Sequence, residues 1–381
     1  MIVKKLSFLP SDTQSASVLK DTDPDLIISF GAPAESGMQS VFTTLKTHCP
    51  RAIVIGCTTN GQILEKELLD DETVCIAIRF EATPIRHASV IIGAMDDSRA
   101  CGQALARQLN APDLAGVFVL SSGLHVNGSQ LLAGMVDVLG MAAPITGGLA
   151  GDAGKFIETF VVADAPPQAH AVSAIGFYGN VIRIGHGTAG GWSAFGSWRQ
   201  ITRSEGGTLY ELDGKPALDI YEHYLGDEAA DLPTSALLFP LQIEAPGNSK
   251  HQLIRTILGI DRDKKSLRCA GDIPQGWKVR LMYSAFYDLN VAATKAARLA
   301  TANVASQTAE GVALMVSCIG RRMVMGQMIT DEIEAVCSEL GERFSMVGFY
   351  SYGELAPHEL SGICELHNQS ITITTLTEVD A

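Results

Sequence analysis

The chain has 381 residues, long enough for two or more separately cored domains, and its composition, 46% hydrophobic and 18% charged, excludes wholesale disorder. Its formal charge of −14 carries no basic block, which argues against a nucleic-acid partner, since phosphate backbones are gripped by clustered Lys and Arg. No uninterrupted apolar run of about 18 residues occurs, and none of signal-peptide length follows Met1, so no membrane partner is expected and the protein is read as cytoplasmic.

In chain order, a first unit runs from the apolar strand in DLIISFGAPAE through a helix over Gly37 to Thr47 into AIVIGCTTNGQIL. The alternating runs TVCIAIRF and ASVIIGAM follow and read as strands. A second unit runs from AGVFVLSSGLHVNG through a helix over Ser129 to Leu139 into APITGGLAGDAG, followed by the strands HAVSAIGFYG and VIRIGHGT. The acidic, Pro-containing GDEAADLPTSA, Gly226 to Ala236, has the composition of a linker. A third unit runs from GVALMVSCIGRR through a helix over Ile329 to Leu340 into SMVGFYSYGEL, and the strand SITITTLTE closes the chain. Strands joined by helices of this length lie parallel in helix-covered sheets, and the additional alternating strands make those sheets mixed, so the expected fold class is α/β (α+β). The spacing of Gly56, Gly61 and Gln62 recurs as Gly348, Gly353 and Glu354, which suggests two related halves, divided near residues 225 and 226.

The eight cysteines stand singly, with no Cys-x-x-Cys spacing, as small buried residues do in a reducing compartment. No GxSxG elbow, GxxxxGK[ST] loop or HExxH helix is present, and nothing marks a base for Cys57, so an enzyme is not expected. No two histidines share a metal-ligand spacing on one element. The most informative stretch places His186 between Gly185 and Gly187 and follows it with Trp192, Phe195 and Trp198. Glycines beside a histidine leave room for a flat ligand, and aromatics supply apolar walls, which is what a haem pocket with one imidazole ligand needs; a hydrogen-bonded turn histidine is the alternative. Without a CxxCH motif any haem b would be non-covalent.

The motifs IGCTTNGQI, GGLAGD, LDGKPALDIYEHYLG and GFYSYGEL…CELHNQSITITTLTE resemble the FIST family. The resemblance implies an N-terminal FIST domain over residues 1–225 and a C-terminal one over 226–381, acting as a sensory module for a small ligand. RIGHGTAGGW is similar to the NosP-type haemoproteins of that family. That likeness implies His186 as the proximal haem ligand and metal-binding residue, nitric oxide as signal, and a histidine kinase or cyclic-di-GMP enzyme as partner; a homodimer stays open. The alternative is a haem-free module that binds an amino acid or similar metabolite through Arg321, Tyr352 and Glu354, where a fixed Arg would pair bidentately with a carboxylate.

Overall fold

The computed structural model describes residues 1–12, 14–302 and 310–379. Three successive stretches repeat one order of elements. The first comprises β1 (Ile2–Phe8), β2 (Leu26–Gly31), α1 (Glu35–His48), β3 (Ile53–Thr58), β4 (Gln62–Leu64), β5 (Glu67–Leu69) and β6 (Thr73–Arg79). The second comprises β7 (Ile85–Ile91), α2 (Ser98–Leu109), β8 (Leu114–Ser121), α3 (Gly128–Leu139), β9 (Ile145–Leu149), β10 (Val161–Ala163) and β11 (Ala171–Tyr178). The third opens with β12 (Ile182–Ala189) and is then interrupted by an inserted module. That module holds β13 (Ser193–Glu205), β14 (Thr208–Leu212), β15 (Lys215–Pro216), α4 (Ala217–Leu225), β16 (Leu241–Ala245), β17 (Asn248–Arg255), β18 (Ile257–Asp261), β19 (Ser266–Cys269) and β20 (Lys278–Tyr283). The third unit resumes with α5 (Phe286–Thr301), β21 (Gly311–Cys318), α6 (Ile319–Met325), α7 (Ile329–Leu340), β22 (Phe344–Ser351), β23 (Gly353–Pro357), β24 (Cys364–His367) and β25 (Ile371–Glu378).

Each unit joins two parallel strands through helical chain: β2 with β3, β8 with β9, β21 with β22. Its final strand then lies antiparallel to the first of the pair. The short strand after each second parallel strand leaves its own sheet for the next one, β4 pairing β22, β23 pairing β9 and β10 pairing β3. The exchange is cyclic, so sheets of five, six and six strands close into a ring. Gly56, Gly147 and Gly348 are equivalent points in it, facing Val162, Leu355 and Ile63 of the exchanged strands. A Cβ at any of the three would run into the carbonyl oxygen of Ser29, Val119 or Met315 on the adjoining parallel strand. The likeness between the first and third units is thus shared by the second, where residues 150–160 separate β9 from β10 and hide the spacing.

The apolar runs of β2, β8 and β21 follow from burial on both faces. Alternate residues point inward to one shared core, with Phe30, Phe118, Val316 and Phe349 drawn from all three sheets and Phe30 stacked on Phe349 at 4.7 Å. The outward residues meet helices, Ile27 against α1 and Val119 against α3, while α5 and α7 cover the third sheet. Mixed sheets under helices agree with the expected class. The inserted module has its own core, built on Tyr221, Ile243, Leu267 and Leu281. The stretch Gly226 to Ala236 lies inside it, as two 3₁₀ turns beside α4. All eight cysteines are free, six of them buried. No helix among the described residues is long and apolar enough to cross a membrane.

Candidate functional site

Where strands change sheets, the loops after β3 and β9 and the start of β23 meet. Asn60 Oδ1 accepts the backbone N–H of Asp152 (3.1 Å) and Gly154 (2.9 Å). Asp152 in turn accepts the backbone N–H of Phe156, Ile157 and Glu158 and the hydroxyl of Tyr352, whose ring stacks on Phe156 at 4.5 Å. Burial alone would raise the Asp152 carboxyl; the Tyr352 hydroxyl and the three backbone donors hold it below the usual range. The TTNG and GLAGD motifs are therefore knots of loop structure, and Tyr352 is consumed in one of them.

A cleft of 370 Å³ opens between the ring and the inserted module. The module docks on the ring through polar contacts: Arg255, buried, donates to the carbonyls of Asp272 and Leu366, and Asp272 accepts from Asn127 and Gln130 of the second unit. His251 meets Glu365 at 2.7 Å, and His358 Nε2 bonds the carbonyl of Gln252 at 2.9 Å. Inside, Trp192, Leu253, Ile254 and Met282 form apolar walls. The ring contributes His367, Asn368 and Ser370 from the turn between β24 and β25. Asn368 is 1% exposed, and neither its amide nitrogen nor its amide oxygen has a hydrogen-bond partner among the described residues. Burial pushes His367 down to about 3, so it is neutral, its Nε2 bonded to the Ala356 carbonyl. Lys295 is paired with Glu359 at 2.7 Å, whereas Lys250 has no ion-pair partner among the described residues. A neutral amide able both to donate and accept, in one cleft with an ammonium that has no ion-pair partner among the described residues, suits a small anion or zwitterion.

The residues expected from sequence fall in separate places. His186 lies on β12 opposite Thr374 of β25, half-buried, its imidazole basicity lowered by burial, with no hydrogen-bond partner at either ring nitrogen among the described residues. Its flanking glycines make room for helix α5: a Cβ at Gly185 would strike the Ala300 carbonyl oxygen, and one at Gly187 that of Ala296. Strand alternation turns His186 to the opposite face, shared with Ile184. The room read as space for a flat ligand is thus filled by a helix. Trp192 donates its indole N–H to the Gln369 carbonyl at 2.7 Å and lines the cleft. Phe195 lies edge-on to Tyr224 and Tyr283 at 6.3 Å, and Trp198 sits under the Arg280 guanidinium at 4.2 Å. No group of three or more His, Cys, Asp or Glu side chains able to hold a metal is found among the described residues.

Arg321, Tyr352 and Glu354 do not share a pocket either. Arg321 is wholly buried, paired with Glu332 and donating to the carbonyls of Gly190 and Leu289. Those carbonyls flank the insertion, so Arg321 pins both ends of the inserted module and has no arm left for a ligand. Glu354 is fully buried, accepts from Ser351 (2.7 Å) and Ser370 (2.8 Å), and is pushed by burial up to about 8. Asn368 escaped sequence reasoning although it stands in CELHNQS, because nothing local distinguishes an unbonded buried amide from one that caps a turn.

The chain matches the FIST N domain model over residues 25–215 and the FIST C domain model over residues 217–357. The two meet at Pro216, inside the inserted module. An uncharacterized protein of Methanocaldococcus jannaschii is 28% identical over 199 residues, which cover 49% of this chain and 37% of that relative. The chain thus spans little more than a third of the length of this relative. A cyanuric acid hydrolase from A. caulinodans aligns over 100% of this chain and 99% of its own, at 9% identity and a TM-score of 0.38. With both family models in consecutive order over the ring and its insertion, the chain belongs to the FIST family, whose domains are sensory domains of signalling proteins.

Proposed function

We propose that this chain is a sensory module that binds a small anionic or zwitterionic metabolite, such as an amino acid, between the ring and the inserted module, and reports it to a separate signalling protein. The observation that carries this is Asn368: a buried amide with both ends unbonded costs free energy until a ligand bonds it. Lys250 adds a charge for a carboxylate, and the apolar walls take a short side chain. Ligand held between two separately cored bodies favours the arrangement in which both touch it, and this differential affinity is what a partner can read. The test is thermal melting with a panel of amino acids and small carboxylates. At least one should raise the melting temperature of the wild type, with the increment lost in Asn368→Leu, whose unliganded melting temperature is not lowered. An increment unchanged in that variant, or no increment from any compound, refutes the proposal.

A second reading, haem b held non-covalently with nitric oxide as signal and a histidine kinase or cyclic-di-GMP enzyme as partner, is favoured by one observation. The imidazole of His186, its basicity lowered by burial, is half-buried and unbonded among the described residues, beside Thr374, whose buried hydroxyl is also unbonded there; this is the state an axial ligand needs. The donor fits the group, while Phe195 and Trp198 pack on residues of the inserted module. His186 would hold the iron, and the bound group would supply a metal centre open to nitric oxide. Absorption spectra of wild type and His186→Ala, expressed with haem supplied, decide it: a Soret band displaced in the variant supports this reading, and a featureless wild-type spectrum ends it.

A further inference from the structure

We propose that Arg322 is a receptor for the carboxylate of a small molecule and that Asp70 occupies it as an internal stand-in. The two form a parallel fork, Nη1 to Oδ1 at 2.8 Å and Nη2 to Oδ2 at 2.9 Å, the geometry in which an arginine recognises a free carboxylate. The protein holds the guanidinium from behind: Nη1 also donates to the Asn60 carbonyl, and Gly61, at φ +122°, leaves the place a Cβ would fill. From the front it is held by Asp70, which lies on the turn between β5 and β6 with its side chain 60% exposed. The preceding residue, Arg321, is locked to Glu332, so α6 presents Arg322 from a rigid base.

Around the fork lies a cleft of 730 Å³ between the end of β3, the loop after β9 and α6, beside the carboxyl ends of β2, β3 and β21, the place where open α/β sheets take ligands. Two further groups on its wall lack partners among the described residues. Asn60 is wholly buried with its amide nitrogen unbonded, and Lys155 is exposed without an ion pair. An exposed ion pair is worth about 0–1 kcal/mol, so a ligand carboxylate can take the place of Asp70 at small cost while gaining Lys155. This site is separate from the cleft that holds Asn368 and stands or falls independently of it.

Succinate is the probe, titrated calorimetrically into the full chain. Asp70→Asn, which weakens the internal competitor, should bind succinate at least about threefold tighter than wild type. Arg322→Gln should lose the binding, and Arg322→Lys, which keeps charge without the fork, should weaken it. Far-UV circular dichroism and melting curves confirm that each variant folds, and Arg322→Lys serves if the glutamine variant does not. Equal or weaker binding in Asp70→Asn, undiminished binding without Arg322, or no binding at millimolar succinate in either the wild type or Asp70→Asn overturns the proposal.

Discussion

The inserted module borders the ring in two ways, and the contrast shows which buried polar groups build the molecule and which await something. At the junction, Arg321 uses its guanidinium on Glu332, Gly190 and Leu289, tying both ends of the insertion to α6 and α7. At the cleft, the Asn368 amide is as deeply buried and bonds nothing among the described residues. A group with all partners in place is part of the frame, and removing it costs stability. A group with none among the described residues that also lines a cleft is free to meet a ligand, and under the proposed function removing it costs binding.

The largest effect should come from Arg321→Met, which leaves Glu332 buried without its cation. Urea denaturation should show a loss of about 3–5 kcal/mol, part of it recovered in the double variant with Glu332→Gln; a loss under about 1 kcal/mol would move Arg321 out of the frame. Gly185→Ala comes next, at about 1–3 kcal/mol, because α5 must move away from the new methyl group. If Gly185 instead serves a ligand, stability holds and only haem uptake changes.

Glu354 sits between these extremes, bonded to Ser351 and Ser370 at the edge of the cleft. Its folded carboxyl is raised to about 8 from the ordinary 4.5, so between those values the unfolded chain gives up a proton that the folded protein keeps. This contribution is fully present below pH 4.5 and lost as pH rises to 8, a slope of about 1.4 kcal/mol per pH unit at most. Glu354→Gln should flatten that part of the stability profile measured by urea titration from pH 5 to 8; an unaltered slope would mean that the carboxylate is ionised in its serine cage. The smallest change should be Asn368→Ala, within about 1 kcal/mol of the wild type without ligand, since no bond is lost. A drop comparable to that of Arg321→Met would erase the distinction between frame and cleft.

Much of the ring was readable from local pattern. The doubly buried runs LIISFG, GVFVLS and GVALMVSC, and the helices over Glu35–His48, Gly128–Leu139 and Ile329–Leu340, follow from apolar periodicity, and the glycine spacing in the first and third units marked equivalent turns. The second unit hid its equivalence behind the loop tied by Asp152, since spacing survives no insertion. The chemistry of single residues was less readable. His186 was singled out for glycines that the structure assigns to helix packing, and Arg321 was preferred to its neighbour Arg322, although only Arg322 reaches a cleft. Adjacent residues of like chemistry differ only in the direction their side chains take, and that direction comes from helix and strand placement.

By itself, then, the amino-acid order determined the strand–helix–strand units, the α/β class and the FIST motifs, because periodicity, turn residues and short motifs act over a few positions, while the strands of the inserted module and helices α2, α4 and α5 were not read from it. Only the tertiary structure decided that three units exchange strands into one ring, that the inserted module leaves a cleft against it, and which polar groups are satisfied. Those are relations between residues such as Arg321 and Gly190, or Asn60 and Asp152, that lie about a hundred positions apart in the chain. A hydrogen bond made or missing across that distance leaves no local pattern to read.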